Sequence, residues 1–387
     1  MQKNPIRIVY CATFIFSINL AFTAYINSSF LKSYFNTRDV GLLFALGSIF
    51  AIFGLTRVAT ILKRCGMYRT VTAFTILNLA SLGVLSSTTN TKALGIFFVI
   101  YIITNSLIMF CLDELMAKYD QNKSTGKTHG IYLTVMNTAW LCSPFIVSYI
   151  IVSGDYRGVY WIALICSLLL ILIFKKSFYK YQDPEYHELK WLDTFKLLHS
   201  HRDLRKIYRI NLLLQFFFAI MVIYSPIYLR QYIGFEWKEI GIIFTFMLLP
   251  FVLFEIPLGK LADKIGEKFI LGLGFLIMSI STIIISFIHK PDLILWIVIL
   301  FGTRVGASAI QIMADTYFFK HSVSANDPGI IGIYRNTSPL AYIIAPIFAT
   351  IFFIFLPYQY LFLTLGILML SGIIYSATIS DPKHINI

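Results

Sequence analysis

Long apolar segments recur along the whole chain and constrain its fold more than any other feature. A helix needs about 20 apolar residues to cross the hydrocarbon core of a bilayer, because each residue adds about 1.5 Å. A transmembrane β-barrel would show shorter segments of alternating polarity, and these segments do not alternate. The sequence therefore predicts an all-α membrane protein with twelve transmembrane helices. The predicted spans are residues 7–29, 39–62, 68–87, 93–115, 129–152, 158–174, 207–229, 239–261, 268–288, 292–317, 329–352 and 357–378.

The composition argues against a soluble protein. Hydrophobic residues make up 58% of the chain and charged residues 13%, whereas a soluble domain has roughly 25% charged residues. The five cysteines form no CxxC pair and lie mostly in apolar segments, so we expect small buried side chains rather than disulfides or metal ligands. The sequence has no nucleotide-binding loop and no HExxH or GxSxG pattern, so we predict neither a cofactor nor an enzyme.

The basic residues are distributed unequally between the two sides of the membrane. With the N-terminus in the cytoplasm, the cytoplasmic segments and the span ends next to them hold 22 of the 32 Lys and Arg residues, and the external loops hold 7. By the positive-inside rule this bias fixes the orientation, and both termini are expected in the cytoplasm. Attraction to anionic lipids at the cytoplasmic face then explains the net charge of +13 without a nucleic-acid partner.

The two halves of the chain share a sequence pattern that indicates an internal duplication. Gly-Ile-Tyr occurs at residues 130–132 and again at 332–334, and in both places a proline follows 14 residues after the glycine. The same offset of 202 relates Asp113 to Asp315. A register that is kept over several helices is hard to obtain by chance, so we interpret the chain as a tandem repeat.

The repeat defines the domain organisation. We predict two pseudo-symmetric six-helix bundles, residues 1–174 and 207–387, joined by a cytoplasmic central loop at 175–206. Because six is even, both bundles enter the membrane from the same side, as parallel repeats do. Two such bundles suit a mechanism of alternating access.

The loop after the eighth segment reads GKLADKIGEKFIL over residues 259–271. It resembles the loop signature of the major facilitator superfamily, G-x-L-A-D-[RK]-x-G-[RK]-[RK]-x-x-L. Glu267 departs from the signature, because the family usually has a basic residue there. The resemblance extends to the twelve segments, the two related halves and the basic central loop, and it implies a transporter fold.

The resemblance also implies a gating role for this loop. Gly259 would allow close contact between helices, and Gly266 belongs to the same signature. Asp263 would cap the N-terminal end of a neighbouring helix, where unpaired N–H groups carry partial positive charge. The first half has Lys63 in place of this aspartate, so we expect the contact on one side only. The alternative is a solvated loop whose charges only set the topology.

The tenth segment carries a polar stripe inside the membrane. Arg304, Ser308, Gln311 and Asp315 are spaced 4, 3 and 4 residues apart, so they lie within an arc of about 60° on a helix. Arg304 is about 18 Å from the start of the segment, near the midplane, where an ionisable residue is a candidate for function. A guanidinium at this depth suits an anionic or carbonyl-rich substrate, and the alternative is a partner such as Glu255.

Other polar residues lie at the same depth. Asn19, Asn105 and Gln215 occupy the middle of the first, fourth and seventh segments. In the family, helices one, four, seven and ten line the central cavity, so the resemblance implies that these residues and Arg304 bind substrate. For each amide the alternative is a hydrogen bond that only packs one helix against another.

Charged residues near the cytoplasmic ends of the segments are the expected gate. Asp113 and Asp315 occupy equivalent repeat positions, and each could pair with a basic group such as Arg335. A carboxylate that carries a proton must be buried with a raised pKa, and Glu255 and Asp113 are the candidates for that role.

These patterns favour a secondary active transporter that moves a small solute across the cell membrane, with an anion among the candidate solutes and with proton coupling favoured. We expect an integral multi-pass monomer. The alternative is a non-transporting member of the same fold that acts as a membrane receptor, a scaffold or a lipid-handling protein. An intramembrane enzyme built on Asp113 and Glu114 is disfavoured, because the pair falls at a helix end.

Overall fold

The structure is a computed structural model. It describes residues 5–119, 125–151, 155–179, 181, 183, 202–254, 257, 258, 261, 265–321, 334 and 336–379. In unit 1 the α-helices are α1 (Pro5–Ala24), α2 (Asn27–Lys32), α3 (Thr37–Cys65), α4 (Met67–Ser87), α5 (Thr91–Tyr119), α6 (Thr125–Ile150) and α7 (Arg157–Ser177). In unit 2 they are α8 (Arg202–Ile227), α9 (Trp237–Leu253), α10 (Glu267–Ile285), α11 (Leu293–His321), α12 (Thr337–Phe355) and α13 (Tyr360–Ala377). A π-helical turn, Tyr228–Ile233, extends α8.

The fold class predicted from the sequence is confirmed. Ten helices in the described residues are long and apolar enough to cross a membrane. The two other predicted spans, 129–152 and 239–261, coincide with α6 and with α9, which has 17 residues. The number twelve stays a prediction, because the apolar stretch Val135–Ile150 of α6 is shorter than the ten helices that are long enough to cross a membrane.

Glycine determines where two corresponding helices begin. Gly66 precedes α4 with φ 78° and ψ 162°, and Gly266 precedes α10 with φ 87° and ψ 152°. Only glycine adopts this backbone region readily, because a Cβ atom would clash with the backbone. The chain can therefore reverse direction sharply at the same place in each half.

The chain forms two compact units, Met1–Glu188 and Leu189–Ile387. In unit 1, α5 packs against α3 and α4, α4 packs against α7, and α1 packs against α5, α6 and α7. In unit 2, α11 packs against α9 and α10, α10 packs against α13, and α8 packs against α11, α12 and α13. The two sets of helix pairs correspond one to one, so each unit is a copy of the same helical bundle.

The helices of unit 2 approach closely at small residues. Gly274 on α10 faces Gly306 on α11, and a Cβ atom at Gly274 would lie 3.0 Å from the carbonyl oxygen of Gly306. Small residues permit this approach, and close packing provides much of the attraction between helices in lipid. Unit 2 is thereby held together along α10, which packs closely against both α11 and α13.

Candidate substrate-binding site

Arg304 is a buried cation in the middle of α11. The residue is 1% exposed. Its guanidinium carbon lies 5.2 Å from the ring centroid of Phe217 and 5.4 Å from that of Phe218, both on α8. These distances permit cation–π attraction, which favours the positive charge where water is excluded. The structure therefore places Arg304, the arginine of the polar stripe, at the contact between α8 and α11.

The predicted neighbours of Arg304 lie on these same two helices. Gln215 precedes Phe218 by three residues, so the two side chains share a face of α8. Gln215 and Gln311 are half-buried. Ser308 is fully buried, and its hydroxyl donates a hydrogen bond to the Val305 carbonyl oxygen at 3.0 Å. Unit 2 thus places a guanidinium and two carboxamides on helices that pack against each other.

This combination suits a small anion. A guanidinium presents planar N–H donors that match the two oxygens of a carboxylate. A carboxamide can donate and accept hydrogen bonds, and therefore can orient either an anion or a carbonyl group. The aromatic rings of Phe217 and Phe218 lie beside this charge.

Unit 1 uses its mid-depth amides differently. The Asn19 Nδ2 donates to Ser167 Oγ at 2.7 Å and to the Ala163 carbonyl oxygen at 3.0 Å, both on α7. The Asn78 Nδ2 on α4 donates to Asn105 Oδ1 on α5 at 2.8 Å, and Asn78 Oδ1 accepts from Ser167 Oγ at 2.8 Å. Asn19 and Asn105 therefore belong to one buried network that joins α1, α4, α5 and α7.

The corresponding position in unit 2 is apolar. The offset of 200 that relates Gly66 to Gly266 relates Asn78 to Met278, which is fully buried on α10. The centre of the polar network in unit 1 is thus a hydrophobic packing residue in unit 2. The two units share helix positions but differ in the chemistry of their interiors.

The acidic residues at equivalent repeat positions have equivalent partners. Tyr132 on α6 donates its hydroxyl to Asp113 Oδ1 on α5 at 2.8 Å. Tyr334, just before α12, donates its hydroxyl to Asp315 Oδ1 on α11 at 2.9 Å. We call these two contacts the Tyr–Asp bridges. These pairs were not predicted from the sequence, although the tyrosines and the aspartates share the offset of 202, which is a signal for their pairing.

The family model of the Major Facilitator Superfamily matches residues 9–239 and 210–386. The chain belongs to the Major Facilitator Superfamily. The cis,cis-muconate transport protein of Acinetobacter baylyi is 25% identical over 260 residues, which cover 64% of this chain and 62% of that protein. The match therefore spans less than two thirds of that relative's length.

Solved structures show the same fold. The crystal structure of the nucleoside transporter NupG has a TM-score of 0.76 at 11% identity, covering 97% of this chain and 99% of that chain. A POT family transporter in complex with 5-aminolevulinic acid has a TM-score of 0.78 at 13% identity, covering 97% and 96%. The family match and the long apolar helices show that this Major Facilitator Superfamily protein is an integral multi-pass membrane protein.

The Major Facilitator loop signature is only partly within the described residues. Gly266 is described, and its backbone angles make it the glycine that begins α10. Gly259, Asp263, Glu255 and Arg335 lie outside the described residues. Their predicted gating and proton-carrying roles stay predictions.

Asp183 supplies the cap that the first half was expected to lack. It lies in the predicted central loop, and its Oδ1 accepts a hydrogen bond from the Met67 backbone N–H at 2.7 Å. A carboxylate is favourable there because the first turn of a helix presents unpaired N–H groups and partial positive charge. Lys63 replaces the signature aspartate, and a distant aspartate caps α4 instead. No local sequence pattern indicates this contact, since 116 residues separate its partners.

Proposed function

We propose that this protein is a secondary active transporter for a small organic anion with a carboxylate group, and that Arg304 binds the carboxylate. The observation that carries the proposal is the burial of the Arg304 guanidinium, at 1% exposure, between helices of unit 2. A charge inside the membrane is expensive and is retained where it serves a pathway or a ligand. Gln215, Ser308 and Gln311 complete the site on α8 and α11.

The curated relative supports the class of solute. It is named as a transport protein for cis,cis-muconate, a dicarboxylate with a planar unsaturated chain. Such a solute has the carboxylate that a guanidinium recognises and the flat carbon skeleton that lies well against aromatic rings. We therefore propose unsaturated or aromatic carboxylates as the first substrates to examine.

Transport would proceed by alternating access of the two units. Parallel repeats support this mechanism because one bundle rocks against the other around a site near the membrane midplane. Proton coupling remains the favoured driving force, with Asp113 and Glu255 as the proposed carriers. We further propose that the protein acts as a monomer with both termini in the cytoplasm, where its basic face meets anionic lipids.

The test is uptake of radiolabelled cis,cis-muconate and related carboxylates into proteoliposomes, with and without an imposed pH gradient. A thermal-stabilisation screen of purified protein selects the carboxylates for the panel. We expect saturable uptake that a pH gradient accelerates. Absence of both stabilisation and uptake across a broad panel would contradict the proposed solute class.

Arg304 is tested by substitution. Arg304→Gln and Arg304→Lys should abolish uptake, because neither side chain presents a bidentate charged fork, while the folded yield is kept. The matched control is Arg209→Gln, which removes an exposed arginine of α8 whose guanidinium carbon lies 6.0 Å from the Tyr375 ring centroid. Full uptake by Arg304→Gln would remove this residue from the substrate site.

A further inference from the structure

The two Tyr–Asp bridges occupy the same place in both units. In each, a tyrosine hydroxyl donates to an aspartate that lies 19 residues earlier in the chain, at 2.8 Å in unit 1 and 2.9 Å in unit 2. A hydrogen bond to an ionised acceptor is stronger than one between neutral groups. The same contact occurs in both copies of the repeat, whereas the central residue of the polar network in unit 1, Asn78, corresponds to the buried Met278 in unit 2.

The bridges join helices that otherwise have little contact. In the described part of unit 1, α5 and α6 both pack against α1, but they touch each other at few positions. In the described part of unit 2, α11 and α12 both pack against α8 in the same way. Each bridge therefore links two helices that both pack against a third helix. The link lies at the end of the helices that the charge distribution places in the cytoplasm.

The tyrosine rings are held firmly enough to fix this geometry. The Phe318 ring stacks on the Tyr334 ring with centroids 4.0 Å apart and planes inclined by 16°. Tyr132 is 2% exposed and belongs to a hydrophobic cluster with Met116, the residue that corresponds to Phe318. Asn211 on α8 donates to Thr337 Oγ1 at 2.9 Å and so fixes the start of α12. Both hydroxyls are thereby aimed at their carboxylates.

We propose that Tyr132 and Tyr334 are positioning residues of the predicted cytoplasmic gate, each holding the aspartate of the preceding helix so that the two helices move together. The proposal rests on the proposed mechanism of alternating access. With a bridge intact, the hydrogen bond joins α6 to the end of α5, or the start of α12 to α11. Loss of a bridge separates the two helix ends and favours the form that is open to the cytoplasm.

The test is a distance measurement by double electron–electron resonance in lipid nanodiscs, without substrate. One spin label is placed on Cys65, which is exposed at the end of α3, and the other on Ala377→Cys, which is exposed at the end of α13. The other four cysteines are replaced. Tyr132→Phe and Tyr334→Phe should each raise the ratio of the long-distance to the short-distance population about tenfold, equivalent to 1.4 kcal/mol.

Two further variants separate positioning from general damage. Asp113→Asn keeps an oxygen that accepts the hydrogen bond, so we expect a shift of about threefold or less. Tyr160→Phe removes a hydroxyl that donates to Asn27 Oδ1 at 2.7 Å, near the predicted external side, and should leave the ratio unchanged. Thermal unfolding of every variant is measured in parallel.

An unchanged ratio in both tyrosine variants would overturn the proposal, as would an equal shift in Tyr160→Phe. A shift in both bridges with none in the control would support it. Uptake of carboxylates is measured separately, so a failure of the proposed substrate leaves the distance measurement interpretable.

Discussion

Asn19 and Gln215 were both predicted from the sequence to bind substrate, but the structure indicates different roles for them. This difference in role can be tested. The Asn19 Nδ2 donates to two groups of α7, Ser167 Oγ at 2.7 Å and the Ala163 carbonyl oxygen at 3.0 Å, and more weakly to Asn78 Oδ1 of α4 at 3.4 Å. Gln215 is half-buried on the face of α8 that meets Arg304. We expect Asn19→Ala to weaken the fold and Gln215→Ala to weaken substrate binding.

The magnitude for Asn19 follows from its contacts. A hydrogen bond between membrane helices contributes about 0.6 kcal/mol on average and about 1.7 kcal/mol at most. Two such bonds amount to about 1–2 kcal/mol, and the small cavity left by the side chain adds about 1 kcal/mol. The Oδ1 of Asn19 is buried and accepts no hydrogen bond among the described residues, so its removal offsets part of this loss. We therefore expect a net destabilisation of about 1–2 kcal/mol.

The assay combines reversible unfolding in mixed detergent micelles with uptake of cis,cis-muconate into proteoliposomes. Asn19→Ala should unfold more easily and keep its KM within about twofold, because its contacts lie inside unit 1. Gln215→Ala should keep its stability within about 0.5 kcal/mol and raise KM at least fivefold, since the loss of a substrate hydrogen bond costs about 1–2 kcal/mol. The reverse pattern would refute the assignment of Asn19 to packing.

Two further substitutions test the packing of each unit. Asp183→Ala should destabilise unit 1 by about 1 kcal/mol through loss of the α4 cap. Asp183→Asn keeps the oxygen that accepts the hydrogen bond and should therefore unfold less easily than Asp183→Ala. Equal unfolding curves for the two variants would contradict the capping role of Asp183. Gly306→Ala should destabilise unit 2 by about 1–3 kcal/mol, because its Cβ atom would lie 2.7 Å from the Met278 Cβ and force α10 and α11 apart. Gly83→Ala is the matched control, since its Cβ atom would meet only Leu164 Cδ1 at 3.7 Å; a similar loss of stability there would count against the packing argument.

The helices were predictable because the bilayer imposes a single strong rule. Each long apolar segment that could be compared coincides with a helix, and the ends follow local signals such as Gly66 and Gly266. The duplication was also readable, since a repeated register of sequence patterns requires no knowledge of packing. Both conclusions depend on properties of contiguous residues.

The candidate site was predictable only in part. The depth of Arg304 follows from its distance along one segment, but its neighbours Phe217 and Phe218 depend on how α8 packs against α11. The spacing of 1.5 Å per residue gave Asn19 and Gln215 similar depths without indicating the direction of either side chain. A difference of direction around the helix axis is decided by the packing of the bundle.

The sequence by itself determined the membrane environment, the predicted orientation, the repeated unit and the presence of a buried positive charge. These follow from hydrophobicity, charge and periodicity, which act along the chain. The tertiary structure decided which polar groups meet: that Asn19 and Asn105 join α1, α4, α5 and α7, that Asp183 caps α4, and that tyrosines hold Asp113 and Asp315. The physical reason is that a hydrogen bond depends on the direction and distance of two atoms, and these are fixed only when distant helices pack together.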